Sequence, residues 1–142
     1  MAAWSEIEAE APDLAAMARE LFEGQVHKTL ATLRKDGSPR ISGIETEFAD
    51  GDLRFTSMDR AVKAFDLLRD PRFALHSGSP DPPDWPGDAK IAGRAEEIEQ
   101  PESYHVFRTD ITELVVVRLN EARDKMLVES WHPGHGVSRL ER

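Results

Sequence analysis

Arg60 and Lys63 stand one helical turn apart, just beyond the end of a short alternating run, Asp52 to Ser57. In that run Leu53 and Phe55 alternate with polar residues, the period-two pattern of a strand with one buried face. From Arg60 to Arg69 the spacing becomes helical, and Ala61, Ala64, Phe65 and Leu68 predict one apolar face. Pro71 stops that helix, and Phe73 to His76 predicts the next strand. A strand end leading into a helix start presents unpaired backbone N–H groups and the positive end of the helix dipole, which together can hold an anion. Arg60 and Lys63 lie off the predicted apolar face, so both could reach that anion. On these residues alone, a solvated basic flank is the competing reading.

The whole chain limits what such an anion site could serve. Its 142 residues suffice for one domain with a buried core. Acids number 27 against 18 Lys and Arg, a net charge of −9, which argues against a general nucleic-acid or acidic-membrane binder but leaves room for a local basic pocket. With no cysteine there is no disulfide, thiolate metal site or cysteine nucleophile. No apolar run approaches membrane-spanning length, and the N-terminus has no basic segment followed by an apolar one. The expectation is a cytoplasmic chain without membrane or nucleic-acid partners.

The elements that must position the basic pair follow from the same patterns. Residues 1–26 predict an N-terminal helix from Trp4 to Phe22, with Leu14, Met17, Ala18, Leu21 and Phe22 as its stripe, Pro12 near its true start and Gly24 as its stop. It would cover one mouth of a barrel or one face of a sheet. Thr29 to Leu33 and Arg40 to Phe48 predict strands around the turn Lys35-Asp36-Gly37-Ser38-Pro39. Asp50-Gly51 turns the chain again into Asp52 to Ser57. On Arg40 to Phe48, Ser42, Ile44, Thr46 and Phe48 share one face and Ile41, Gly43, Glu45 and Glu47 the other. Gly43 at mid-strand predicts a bulge or the close approach of a ligand.

Residues 79 to 88 carry four prolines and form a surface loop that needs Trp85 as an anchor. Ala89 to Glu99 predicts a strand, Pro101 to Arg108 a short helix, Thr112 to Asn120 a buried strand and Lys125 to Trp131 the last strand. Residues 132–142 read as an irregular tail. The fold class expected is mainly β (α+β): a six- to seven-stranded antiparallel split β-barrel in a single domain spanning 1–142, with short helices between strands.

Three pieces, in this order, resemble the pyridoxamine 5′-phosphate oxidase-like family of flavin-binding split barrels. They are ATLRKDGSPRIS from Ala31, LRFTSMDRAVKAFDLLRDPRFALHS from Leu53, and AKIAGRAEEIE from Ala89. The resemblance covers roughly residues 27 to 142. It implies that FMN binds at the interface of a homodimer, with its phosphate held near the basic pair. Lys63, upstream of Asp70-Pro71, matches the family's phosphate-binding lysine, and Arg60 is displaced from a neighbouring basic position. Thr56 and Ser57 match the hydroxyls and backbone that contact the phosphate. Arg40, Ser42, Gly43 and Ile44 match the strand beside the ring system, with Arg40 adding a second charge. Glu45 stands where the oxidase has a lysine, and Asp59 is an acid beside the anion site. In the tail, Trp131 with Arg139-Leu140-Glu141-Arg142 is similar to the oxidase's C-terminal Trp and Arg-Leu-His-Asp-Arg segment. That implies a cofactor contact for Trp131 and a substrate contact for Arg139, with Arg142 as a further candidate.

The chemistry so implied is hydride transfer to or from a small organic substrate, with the cofactor carrying the reaction. No obligatory acid–base residue is visible. His76, at a strand end, could face the substrate or be structural. The related cofactor is the deazaflavin coenzyme F-420, whose acidic tail Arg34, Lys35 and Arg40 could serve. A non-catalytic flavin- or haem-binding protein is the alternative of another class. His132 and His135 lack the helical spacing of a metal pair, and no metal is expected.

Overall fold

The computed structural model describes residues 2–99, 101 and 103–142. Two helices, α1 (Trp4–Glu10) and α2 (Pro12–Glu23), precede eight strands. These are β1 (Lys28–Leu33), β2 (Pro39–Ala49), β3 (Asp52–Met58), β4 (Arg72–His76), β5 (Asp88–Glu99), β6 (Tyr104–Leu119), β7 (Met126–His132) and β8 (Gly136–Glu141), with helix α3 (Val62–Arg69) between β3 and β4. The sheet order is β3-β2-β1-β4-β5-β6-β7-β8, and β3 also pairs with β6. That pairing closes β1 to β6 into a six-stranded antiparallel barrel, from which β7 and β8 extend. Closure removes the free edges of β3 and β6 that an open sheet would expose.

Inward-facing side chains fill the barrel. Leu30, Leu53, Phe55, Leu75, Ile91, Phe107, Ile111 and Leu114 are fully buried. Phe55 packs between Phe73, with ring centroids 5.7 Å apart, and Phe107 at 5.6 Å. The N-terminal segment closes the barrel over this interior with Trp4, Ile7, Leu14, Ala18 and Phe22. Trp4 lies against Phe48 at 4.9 Å, and the Arg19 guanidinium covers the same ring.

Four expectations change. The single N-terminal helix is two, because Ala11 leaves helical geometry (φ −137°, ψ 64°) ahead of Pro12, whose ring disfavours the α conformation in the residue before it. The predicted helix over Pro101 to Arg108 is instead the start of β6, with Glu102 outside the described residues. Pro-Glu-Ser mimics a helix start locally, but pairing with β3 on one side and β5 on the other overrides it. The tail is not irregular: β8 pairs with β7 from Leu127↔Glu141 to His132↔Gly136. Finally, α3 is rotated from the predicted face. Ala64, Asp66 and Leu67 are buried, whereas Phe65 and Leu68 are 50% and 52% exposed.

That rotation has a polar cause. The buried Asp66 carboxylate accepts from Thr32 Oγ1 (2.8 Å), Arg40 Nε (2.7 Å) and an Arg69 guanidinium N–H (3.0 Å). Burial alone would push this carboxyl up, but the donated hydrogen bonds outweigh it and hold its pKa below the ordinary carboxylate range. The cluster seats α3 against β1 and β2 and fixes where its N-terminal end lies.

Candidate functional site

The N-terminal end of α3, the end of β3, the middle of β2 and the start of β6 surround an open cleft of about 500 Å³. Its wall is made by His27, Gly43, Ile44, Glu45, Thr56 to Met58, Lys63, Ser103 and Tyr104. Register explains the assembly: Glu45 pairs with Thr56, Lys28 with Ile44, and Met58 with Tyr104. A volume of this size is within the range of small-ligand sites. The candidates Gly43, Ile44, Thr56, Ser57 and Lys63 therefore meet in one place, whereas Arg60 is not part of the cleft wall.

Lys63 supplies the cleft's charge. Its Nζ donates to the Gly43 carbonyl at 2.5 Å and has no acid within ion-pair distance among the described residues. Burial lowers the Lys63 pKa, because the ammonium is partly desolvated with no carboxylate to compensate. Arg60 is exposed at the turn into α3 and adopts φ 61°, a left-handed conformation that costs a non-glycine residue about 1–2 kcal/mol. The turn is tied by the Ala61 N–H to the Met58 carbonyl (3.1 Å) and by the Asp59 N–H to the Ser103 carbonyl (3.0 Å). Glu45 does not stand alone: the neighbouring Lys28, whose pKa burial lowers, interacts favourably with it.

Gly43 forms no bulge, since the β1–β2 register runs unbroken from Lys28↔Ile44 to Leu33↔Pro39. A Cβ built at Gly43 meets nothing within 4 Å, so the protein itself does not require glycine there. The space on the outer face of β2 is open to a ligand. Gly93 is the opposite case, at a register shift between β5 and β6, where an added Cβ would collide with the Asp110 carbonyl.

Other predicted residues lie elsewhere. Arg40 is engaged by Asp66 and serves the seating of α3. Ser42 Oγ is buried on the barrel side of β2 with no partner among the described residues, and Ser42 is not part of the cleft wall. Trp131 is fully buried in the core, out of reach of the cleft. Arg139 pairs with the buried Glu129 at 2.9 Å, which Arg118 also holds. Arg142 is exposed at the end of the chain, its backbone paired with Met126. His76 shares the outer face with Gly43, aligned through Thr29 of β1, two strands or roughly 10 Å away. Its Nε2 lies 3.8 Å from Asp88. His132 contacts Glu113 at 2.9 Å, and no group of three or more potential ligands surrounds a metal position among the described residues.

Sequence reasoning missed His27, Ser103 and Tyr104 on the cleft wall, and His105 behind it. Tyr104 and His105 were hidden by the helical reading of their segment. The Tyr-His-Val-Phe run of aromatic and β-branched residues was the available strand signal. A second groove, of about 410 Å³, lies beneath α2 between Met17, Leu21, Val116 and Arg118. Its walls are mainly apolar, and Arg118 is already engaged by Glu129.

A closed six-stranded antiparallel barrel with a basic helix start beside its β2–β3 face defines the split-barrel class. The family model for pyridoxamine 5′-phosphate oxidase matches residues 14–130, and the chain belongs to that family. No curated protein matches it in sequence. Among solved structures, it is similar to a pyridoxamine 5′-phosphate oxidase-related, FMN-binding protein from Nostoc punctiforme, at 12% identity over 96% of both chains, with a TM-score of 0.66. An F420 reductase matches at 21% identity over 68% of this chain and 94% of that one (TM-score 0.54). A heme-binding protein from Mycobacterium smegmatis matches at 18% identity over 89% of this chain and 57% of that one (TM-score 0.62). At these identities the likeness is one of fold.

The residues present fit the phosphate end of a flavin-type cofactor. An ammonium without an acid partner among the described residues, the exposed Thr56 and the open face at Gly43 converge on one cleft.

Proposed function

We propose that this chain is a cytoplasmic oxidoreductase that binds FMN in the β2–β3–α3 cleft, with coenzyme F-420 as the alternative cofactor. The observation that carries the reading is Lys63, a partly desolvated ammonium on the cleft wall whose only partner among the described residues is the Gly43 carbonyl. Family membership makes a phosphate the fitting anion. Bound there, the cofactor supplies hydride transfer at its ring. Lys63, the Thr56 and Ser57 segment and Arg60 hold the phosphate. The outer face of β2 at Gly43, with the backbone leading into Ile44, supports the ring, and His76 stands on the same face as Gly43 toward the substrate side.

The reading includes a homodimer across the cleft. Ile41 and Met58 are 73% and 79% exposed on or beside the cleft face, and Val62, Phe65 and Leu68 add apolar surface on α3. A second copy would cover such surface. Haem binding is the second reading, favoured by His27, an imidazole on the cleft wall that could serve as an axial ligand.

The test is mass spectrometry and absorbance of the small molecule released by denaturing freshly purified protein. FMN or F-420, or tight uptake of either by colourless protein, is the expected result. A haem Soret band, or failure to bind either cofactor, would overturn the reading.

A further inference from the structure

Behind the cleft lies a buried histidine that the cofactor contacts do not use. His105 sits on β6 directly opposite Ser57, and its side chain is only 2% exposed. Nδ1 lies 2.5 Å from Glu97 Oε2 on β5, and the ring stacks near Phe107. Nε2 has no hydrogen-bond partner among the described residues and faces Asp59 Oδ1 at 3.9 Å. Two carboxylates thus share one imidazole, and neither has another cationic partner among the described residues. Only the imidazolium form carries a donor on both nitrogens.

Asp59 is the acid nearest in sequence to the proposed phosphate cradle, and it belongs to the turn that holds Arg60 in its left-handed conformation. An uncompensated carboxylate there would repel an anion at Lys63 and Arg60. Its turn is anchored to the β6 side through the Asp59 N–H to Ser103, and its carboxylate faces His105 at 3.9 Å.

We propose that His105 is a positioning residue for phosphate binding. With Glu97 on its other nitrogen, it faces Asp59 and offsets part of the negative charge at the β3–α3 turn, so that Arg60 and Lys63 meet the anion with less competing repulsion. This rests on the flavin reading above.

The test is a double-mutant cycle with wild type, His105→Gln, Asp59→Asn and the double variant, titrated with FMN and with phosphate-free riboflavin by fluorescence. Coenzyme F-420 is run in parallel. His105→Gln is expected to weaken FMN binding about tenfold, an effect of one uncompensated nearby charge, while riboflavin changes less than about twofold. Adding Asp59→Asn should restore FMN affinity to within about twofold of wild type. Asp59→Asn alone should tighten FMN binding by no more than about threefold, because His105 already offsets part of that charge, and this exposed site tests the idea even if His105→Gln fails to fold. Equal loss of FMN and riboflavin in His105→Gln, no rescue in the double variant, or FMN binding tightened about tenfold in Asp59→Asn would overturn the inference. Wild type that binds neither FMN nor F-420 would overturn the flavin reading and this inference together.

Discussion

Two basic side chains cross between β2 and α3 in opposite directions. Arg40 reaches from β2 to Asp66 on α3, and Lys63 reaches from α3 to the Gly43 carbonyl on β2. Both tie the helix to the strand, yet they differ in what answers their charge. Asp66 takes up the Arg40 charge, with Thr32 and Arg69 completing its hydrogen bonds. Among the described residues Lys63 meets only a carbonyl dipole. A charge consumed by a buried carboxylate is architecture, whereas one left against a dipole in an open cleft is available to a ligand. The two residues are equivalent as basic letters in the sequence, and the buried acid separates them.

The largest effect should come from breaking the consumed charge. Asp66→Asn removes the carboxylate charge and one of the two oxygens that accept from Arg40, Thr32 and Arg69, and should cost about 3 kcal/mol in denaturant unfolding. Because the folded carboxyl pKa is depressed, its stabilisation is present above the unfolded carboxylate range and is lost as pH falls through the lower folded value. Wild type should therefore lose stability below about pH 4, and Asp66→Asn should flatten that limb.

Removing the free charge should spare the fold. Lys63→Ala is expected to weaken FMN about 10- to 100-fold, the loss of a charge-assisted contact, with stability changed by about 0.5 kcal/mol or less in the same unfolding assay. Its pH signature lies at the other end of the scale. Burial depresses the Lys63 pKa, so the free protein loses this charge below the ordinary lysine range. FMN affinity should fall as pH rises through that value, with proton uptake on binding, and Lys63→Ala should show neither in calorimetry.

The smallest loss of stability should come from Gly43→Val. The added side chain points into open space and replaces a poor strand former with a good one, so stability should rise or hold within about 1 kcal/mol. Ring binding should nevertheless weaken, and riboflavin titration would show it even though no phosphate is involved. Unaltered riboflavin affinity would remove the outer face of β2 from the site.

These contrasts also show which parts were legible before the structure. The Asp-Gly turns and alternating strands predict the β1–β2–β3 meander because turn chemistry and period-two burial are local properties. Lys63, Thr56 and Gly43 could be singled out for the same reason, since they sit within or next to that meander, and the structure brings them to one cleft. The face of α3 was not legible: Phe65 and Leu68 look like core residues until Asp66 meets Arg40 and Thr32, which lie 26 and 34 positions away. Trp131 invited a cofactor role, but its place in the core depends on β6 and β8 on either side of it. The start of β6 carried a helix-like local signal, so the cleft wall at Tyr104 and the histidine behind it became visible only once β3 and β6 were paired.

The central claim is that Lys63 holds the phosphate of a flavin-type cofactor in this cleft. The ratio of FMN to riboflavin affinity, measured by fluorescence titration in wild type and Lys63→Ala, tests it most directly. The account predicts a preference for FMN of at least about tenfold in wild type that collapses toward one in Lys63→Ala. A wild-type preference that survives the substitution unchanged would contradict it.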